Sequence, residues 1–130
     1  MFFKKVSLVT GGFDPIHSGH IAYFERAKDL SDYLVVGLNT NEWLTRKKGQ
    51  YFLPWIERAD IIRHLDMVDA VVSWEDDDDS ACGAIAKCLE ISEKVIFCNG
   101  GDTRLYFLLK NVRDNNNLEK EKFDVAECDI

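Results

Sequence analysis

The sequence predicts an α/β protein whose core is a doubly wound parallel sheet, built as a single domain over residues 1–130. Three observations lead to this prediction: short β-prone runs alternate with segments of helical periodicity, one run is apolar on both faces, and a loop follows each run. A strand that is apolar on both faces is typical of the interior of a parallel sheet covered by helices. Regular alternation of strands and helices then specifies the doubly wound architecture.

The first half of the chain predicts a strand, a helix and a second strand. Residues 6–10 are β-prone and end at two glycines, and the helical pattern that follows has apolar positions at Ile21, Phe24, Ala27 and Leu30. Residues 33–38 form the run that is apolar on both faces. We expect a short helical turn at 41–44 and then a basic loop at 46–49.

The second half continues the alternation. Pro54 suits the first turn of a helix whose buried stripe is predicted to comprise Ile56, Ala59, Ile62 and Leu65. A strand at 68–74 follows, and Ser80 is expected to cap a helix that ends near Leu89. Further strands are predicted at 95–98 and, after a turn at 115–117, at the sheet edge over 123–126.

Charge and cysteine usage exclude several classes of function. Sixteen basic against 23 acidic residues give a net charge of −7, which disfavours nucleic acids and anionic membrane surfaces as partners, although a small anionic ligand remains compatible with local positive charge. The N-terminus shows no signal-peptide or membrane-span pattern, so we expect a cytoplasmic protein. The four cysteines form no C-x-x-C pair, so reduced thiols and no structural metal are predicted.

Residues 11–20, with the sequence GGFDPIHSGH, lie between the first strand and the first helix. Exposed backbone N–H groups and the helix dipole favour an anion at such a position. Three residues separate His17 from His20, so both rings would project from one face and could flank a phosphate chain. Gly12 would allow close approach of the ligand, and Gly19 would leave the N–H groups accessible. For an isolated pair of this kind, polar capping of the helix start would be the favoured interpretation.

The same ten residues resemble the G-x-F-D-x-x-H-x-G-H signature of the HxGH nucleotidyltransferase superfamily, which includes cytidylyltransferases and adenylyltransferases, and every fixed position is present. Further segments are similar to its cytidylyltransferase branch, in particular to glycerol-3-phosphate cytidylyltransferase and to the heptose-phosphate adenylyltransferase domain. They lie at 42–44, 46–49, 54, 57–59, 68–72 and 100–102, so the resemblance covers about residues 6–102.

The resemblance implies a Rossmann-like fold that binds a nucleoside triphosphate with Mg²⁺. A second, phosphorylated substrate would attack the α-phosphorus and expel pyrophosphate without a covalent enzyme intermediate. The implied catalytic residues are His17, His20, Lys47 and Arg58. The implied nucleotide-binding residues are Gly11, Gly12, Phe13, Asp14, Gly19, Lys48, Gly100, Gly101, Asp102 and Arg104.

In this scheme the two histidines donate to α- and β-phosphate oxygens, and protonation would strengthen both contacts. Lys47 or Lys48 would reach the phosphates from a mobile loop. Arg58 would be a second phosphate clamp, with a surface salt bridge as the alternative.

Three other features leave alternatives open. Asp14 could orient a histidine or hold Mg²⁺ through water, or it could form a local turn before Pro15. The acidic run at 75–79 suggests a solvated loop. Trp43, Trp55 and Trp74 could stack on a base but also suit packing at a core edge.

Three functions are compatible with these observations. The first is cytidylyl transfer from CTP to a phosphorylated alcohol or polyol such as glycerol 3-phosphate, and the second is adenylyl transfer from ATP to a sugar phosphate. The third is a nucleotide-binding pseudoenzyme or interaction subunit, because residues 103–130 lack the Arg and Ser/Thr run that such enzymes usually carry, for which Arg104 could substitute. Relatives often dimerise, so a homodimer is also an expectation.

Overall fold

A computed structural model describes residues 2–99 and 123–127, with side chains up to Cys98. Its strands form one five-stranded, all-parallel sheet in the order β3-β2-β1-β4-β5, which confirms the predicted doubly wound α/β class. The strands are β1 (Phe3–Gly11), β2 (Tyr33–Leu38), β3 (Ala70–Val72), β4 (Ser92–Asn99) and β5 (Phe123–Glu127). The helices are α1 (Ser18–Asp29), α2 (Asn41–Lys48), α3 (Trp55–Arg63) and α4 (Cys82–Leu89).

Strand β1 lies at the centre of the sheet because its residues are apolar on both faces. Val6, Leu8 and Val9 are fully buried. The strand pairs with β2 on one side, where Gly11 is opposite Leu38, and with β4 on the other, where Leu8 is opposite Phe97. In sequence order, β2 and β3 lie on one side of β1, and the chain then crosses to the other side, where β4 and β5 lie. Open α/β sheets bind ligands at such a switch point, beyond the carboxyl ends of the strands.

Two hydrophobic clusters cover the two faces of the sheet. On one face α1 and α3 contribute residues such as Phe24, Ala27 and Ile62. On the other face α4 contributes Ile85 and Cys88, which lie in a cluster with Trp74, Leu8 and Phe97. Over the described residues, helices thus cover both faces of the sheet, and the strand ends with their loops are available for a site.

Helix α2 is longer than predicted, and the expected basic loop at 46–48 is wrong. These residues form the last turn of α2, which Thr40 caps at its start and Gly49 ends with a φ of 86°. Arginine and lysine are good helix formers and interact favourably with the C-terminal end of the helix dipole. The basic side chains are therefore placed by a helix rather than by a mobile loop.

The buried face of α3 also differs from the prediction. Ile56 is 72% exposed, whereas Arg58, Ala59 and Ile62 are buried. Pro54 is the N-cap, so the helix begins at Trp55 and the second residue of the helix faces outward. Smaller differences concern β3, which has three residues, and α4, whose N-cap is Ala81 rather than Ser80. The predicted edge strand is confirmed as β5.

Candidate nucleotide-binding site

The loop that leaves the central strand turns sharply at Phe13. This residue has a φ of 48°, a left-handed conformation that is rare for an aromatic residue and that often marks a functional site. The Phe13 ring is buried and makes edge contacts with the rings of His20 and Phe24, with centroids 5.0 Å away in each case. The turn therefore places an apolar support against the start of α1.

His17 and His20 form the N-terminal cap of α1, and their rings are stacked with centroids 3.7 Å apart. The Gly19 N–H donates to Nδ1 of His17 at 3.1 Å, and the His17 N–H donates to Nδ1 of His20 at 3.2 Å. A nitrogen that accepts a hydrogen bond carries no proton, so both neutral imidazoles hold their proton on Nε2. Among the residues that the structure describes, neither Nε2–H has a hydrogen-bond partner, so two donors are available to a ligand.

These bonds revise two expectations. Burial, and secondly the proximity of His17, lower the pKa of His20, which favours its neutral form. Protonation of either ring at Nδ1 would break a capping hydrogen bond. A charged imidazole would therefore bind phosphate more strongly but would destabilise the first turn of α1. The N–H groups of His17 and Gly19 are already bonded to the imidazoles, so they are not open to a phosphate as predicted.

The two histidines line a cleft of about 400 Å³ at the carboxyl end of β1. Its other lining residues come from the loop after β1 and from α2, and they are Gly12, Phe13, Asp14, Pro15, Trp43, Leu44 and Lys48. Gly12 also has a packing role, because a Cβ there would lie 2.6 Å from Cδ2 of the buried Leu44. Its lack of a side chain lets α2 pack against the loop, and its contact with a ligand stays a prediction.

The structure separates the two candidate lysines. Lys48 lines the cleft and its Nζ donates to the backbone oxygen of Asp14 at 2.8 Å. Lys47 instead forms an ion pair with Asp79 at 3.2 Å and lies 5.7 Å from the Trp43 ring centroid. Lys48 is therefore the lysine that α2 brings to the histidines.

Asp14 is buried, and its carboxylate bonds to a segment distant in sequence. It accepts hydrogen bonds from the N–H groups of Phe52 at 2.5 Å and Leu53 at 2.8 Å. Two predicted roles of this carboxylate are therefore wrong: it neither forms a local turn before Pro15 nor orients a histidine. Its hydrogen bonds instead hold residues 52–53 against the loop.

Arg58 is 1% exposed, so the surface salt bridge considered for it is wrong. Its guanidinium donates to the backbone oxygens of Leu53, Gly12 and Asn39 and to Oδ1 of Asn41, at distances of 2.8 to 2.9 Å. These bonds use four of its five N–H groups. The predicted phosphate clamp is corrected accordingly: the guanidinium holds the loops behind the cleft together.

The acidic run at 75–79 is not simply a solvated loop. Asp76 is 1% exposed and accepts hydrogen bonds from the Asn39 side chain and from the backbone and hydroxyl of Thr40. Asp79 pairs with Arg46 as well as Lys47. Asp76 thereby fixes the end of β2 and the cap of α2.

The tryptophans have different environments. Trp43 lines the cleft, whereas Trp55 donates from Nε1 to the Leu38 oxygen and Trp74 is buried and donates to the Ser80 oxygen. The sequence reasoning missed Asn39 and Asn41, both of which bond to Arg58. The signal available was the run of polar residues 39–41 directly after an apolar strand.

Four predicted nucleotide-binding residues, Gly100, Gly101, Asp102 and Arg104, lie outside the described residues. Within the described part of the chain no group of three or more His, Cys, Asp or Glu side chains could hold a metal. None of the helices described there combines the length and apolarity that a membrane span requires.

The chain thus combines a doubly wound parallel sheet with a stacked histidine pair at the end of its central strand, an arrangement that suits a nucleotide-binding domain. Residues 8–128 match the family described as "Cytidylyltransferase-like", and the chain belongs to this family.

Among characterised proteins, the chain is 39% identical over 101 residues to the bifunctional protein HldE of Citrifermentans bemidjiense, covering 76% of this chain and 20% of that protein. It is 43% identical over 76 residues to HldE of Sulfurimonas denitrificans, covering 57% and 16%. The chain thus spans about a fifth of the length of these relatives.

Solved structures share the fold. The lipopolysaccharide core biosynthesis protein of Thermoplasma volcanium superposes with a TM-score of 0.72 at 20% identity, covering 96% of this chain and 95% of that one. The pantothenate synthetase of Thermus thermophilus gives a TM-score of 0.56 at 17% identity, covering 97% and 55%.

Proposed function

We propose that the chain transfers a nucleotidyl group from a nucleoside triphosphate to a small phosphorylated sugar, alcohol or polyol and releases pyrophosphate. The observation that carries this proposal is the His17–His20 pair, in which both Nδ1 atoms are held by backbone N–H groups and both Nε2–H donors remain for a ligand. Lys48 in the same cleft adds a positive charge. Membership of the cytidylyltransferase-like family supports the same reaction class.

In the proposed reaction an oxygen of the acceptor phosphate attacks the α-phosphorus. The bond from that phosphorus to the oxygen bridging to the β-phosphate breaks, and pyrophosphate leaves with the electron pair. The Nε2–H groups of His17 and His20 would meet the charge that develops on the phosphate oxygens. Donors fixed before the reaction stabilise such charge without reorganising, so alignment and electrostatics supply the catalysis.

Two nucleotides are candidates for the donor. CTP is one candidate because the family is described as cytidylyltransferase-like, and glycerol 3-phosphate is the acceptor that the sequence resemblance suggests for it. The identity to HldE proteins, together with the resemblance to the heptose-phosphate adenylyltransferase domain, supports ATP with a sugar phosphate. The HldE matches are likenesses to individual proteins, whereas the superfamily includes both cytidylyltransferases and adenylyltransferases. We therefore propose ATP with a heptose phosphate as the first pair to test.

Mg²⁺ would enter with the triphosphate. Mg²⁺ keeps several waters and commonly binds through substrate phosphates with one or two carboxylates. The carboxylates of Asp14 and Asp76 already accept backbone or side-chain hydrogen bonds, so the described residues fit a metal carried by the nucleotide better than a protein-built cage. When bound, the ion would neutralise phosphate charge.

A thermal-shift panel of ATP, CTP, GTP and UTP, each with Mg²⁺, tests the donor. A ligand at 100 times its Kd stabilises a protein by about 2.7 kcal/mol, so the cognate triphosphate should give the largest shift and its monophosphate a smaller one. Pyrophosphate release is then measured with a heptose phosphate and with glycerol 3-phosphate. Binding without pyrophosphate release from any pair would contradict the proposal and favour a pseudoenzyme.

A further inference from the structure

A second, smaller cleft adjoins the histidine cleft. It has a volume of about 250 Å³ and is lined by Asp14, Lys48, Gln50 and Phe52. Asp14 and Lys48 line both clefts, so the two are neighbours across these residues. Clefts for drug-sized ligands begin at about 300 Å³, so this one suits a smaller molecule than a nucleotide.

Phe52 is an unusual residue for such a position. Its side chain is 76% exposed, yet its backbone is held because the N–H groups of Phe52 and Leu53 donate to the buried Asp14 carboxylate. A large apolar side chain is therefore presented to solvent from an anchored segment. The face of an aromatic ring is negative and attracts weakly positive hydrogens such as those on the carbon atoms of a sugar or polyol.

Lys48 has hydrogen-bonding capacity for two ligands. Its ammonium group has three N–H donors, and its hydrogen bond to the Asp14 oxygen at 2.8 Å uses one of them. The ammonium also carries a positive charge between the two clefts. One cation can thus lower the repulsion between two phosphates that must approach each other.

We propose that this smaller cleft is the acceptor subsite and that Gln50 and Phe52 determine acceptor specificity. The proposal rests on the nucleotidyl transfer proposed above. Lys48 binds the acceptor phosphate, the Gln50 amide donates to and accepts from hydroxyl groups, and the Phe52 ring covers the carbon face of the sugar or polyol. The acceptor phosphate then lies beside the histidine cleft, where the α-phosphorus is to be attacked.

The test compares Gln50→Ala and Phe52→Ala with Ile56→Ala, a matched control that removes a side chain 72% exposed on α3 and outside the lining of the cleft. Steady-state pyrophosphate release is measured with a heptose phosphate and with glycerol 3-phosphate as varied substrate. Calorimetry measures the Kd of ATP and CTP without acceptor, and of each acceptor with the full chain.

We expect Gln50→Ala and Phe52→Ala each to raise the KM and Kd of the acceptor about tenfold while the nucleotide Kd changes by less than about twofold, and Ile56→Ala to change neither. Turnover by the wild type with unchanged acceptor constants in both variants would overturn the subsite but leave the proposed function standing. A wild type that binds neither acceptor and releases no pyrophosphate would overturn both. Loss of nucleotide affinity in the variants would assign these residues to the nucleotide instead.

Discussion

At the scale of single residues, the two histidines combine an observed structural role with the chemical role proposed above. Each uses Nδ1 to close the start of α1 and keeps Nε2–H for a ligand. The same two rings thus form a helix cap and, in the proposed reaction, a pair of phosphate donors. The consequence is that a substitution at His17 affects stability and function together unless the two are separated by design.

A comparison of His17→Ala with His17→Asn separates them. Asparagine is a good N-cap and replaces the acceptor for the helix N–H, whereas alanine removes it at a cost of about 1 kcal/mol. Neither places a donor where Nε2–H was, so both should lower turnover by roughly 10²–10³-fold. Urea unfolding and pyrophosphate release are measured on both variants. Near-wild-type turnover by either would contradict the role given to His17.

The lowered pKa of His20 predicts a pH-dependent stability. Its pKa in the folded chain lies below the ordinary value of 6.5, so below that pH the unfolded chain binds a proton that the folded chain does not. The contribution of His20 to the free energy of unfolding is therefore complete above pH 6.5. It is lost as the pH falls towards the pKa that His20 has in the folded chain. The free energy of unfolding should fall less steeply in His20→Gln, since glutamine at this position can still close the capping box.

The control for this measurement is His64→Gln, which replaces a histidine whose side chain is 78% exposed. Urea unfolding of wild type and both variants between about pH 5 and pH 8 gives the slopes. Because His64→Gln leaves His20 in place, its slope should retain the fall attributed to His20. Equal slopes in wild type and His20→Gln would show that His20 is not the titrating group.

At the scale of elements, a buried network joins three segments behind the cleft. Arg58 links the end of β1 through Gly12, the end of β2 through Asn39, and the segment before α3 through Leu53. Burial is the main influence on the pKa of Arg58 and lowers it, while the nearby carboxylates of Asp14 and Asp76 oppose that effect. Arg58 is thus a positioning residue, because it holds the loops on which His17 and Lys48 depend.

We expect Arg58→Lys to destabilise the protein by roughly 3 kcal/mol. An ammonium group cannot satisfy four acceptors arranged around a planar guanidinium, and each buried group left unsatisfied costs about 1–3 kcal/mol. Chemical unfolding measures the loss. Arg63→Lys, an exposed substitution on the same helix, is the control and should stay within about 0.5 kcal/mol. A loss that small for Arg58→Lys would contradict the positioning role.

How far the sequence predicts these elements depends on whether the signal is local. The interior strand β2 was predicted with its observed bounds because six successive residues lack a charged side chain. The histidine pair was also placed correctly at the start of α1, since its spacing and glycines are local. The partners of Asp14, Arg58 and Asp76 are separated from them by up to 46 residues, and no local pattern encodes such contacts.

At the scale of the whole molecule, all predicted strands are present and the sheet order follows the expected class. The ends of the elements are less predictable than their existence. Strands β1 and β4 extend beyond their apolar runs at both ends, and α2 continues through its basic residues, because tertiary contacts add to the local signal. The positions of loops beyond the strand ends follow from the topology. The network that holds those loops does not.

Cysteine labelling gives a readout of global stability. Cys88 is 1% exposed, and burial raises the pKa of its thiol to about 12, so it should react only through unfolding. We expect its alkylation, followed by mass spectrometry in a Cys82→Ser/Cys128→Ser background, to slow about 100-fold when the cognate nucleotide with Mg²⁺ is at 100 times its Kd. Labelling at an unchanged rate would show that the nucleotide does not bind the folded chain.

The contact between Gly12 and Leu44 constrains how this site can evolve. Because a Cβ at position 12 would lie 2.6 Å from Cδ2 of Leu44, an alanine there forces this buried side chain to shift unless residue 44 becomes smaller. A smaller residue at 44 alone leaves a cavity in the buried end of α2, which is also unfavourable. The two positions are therefore epistatic, and the mutational path from glycine to alanine at position 12 passes through a less stable intermediate whichever change comes first.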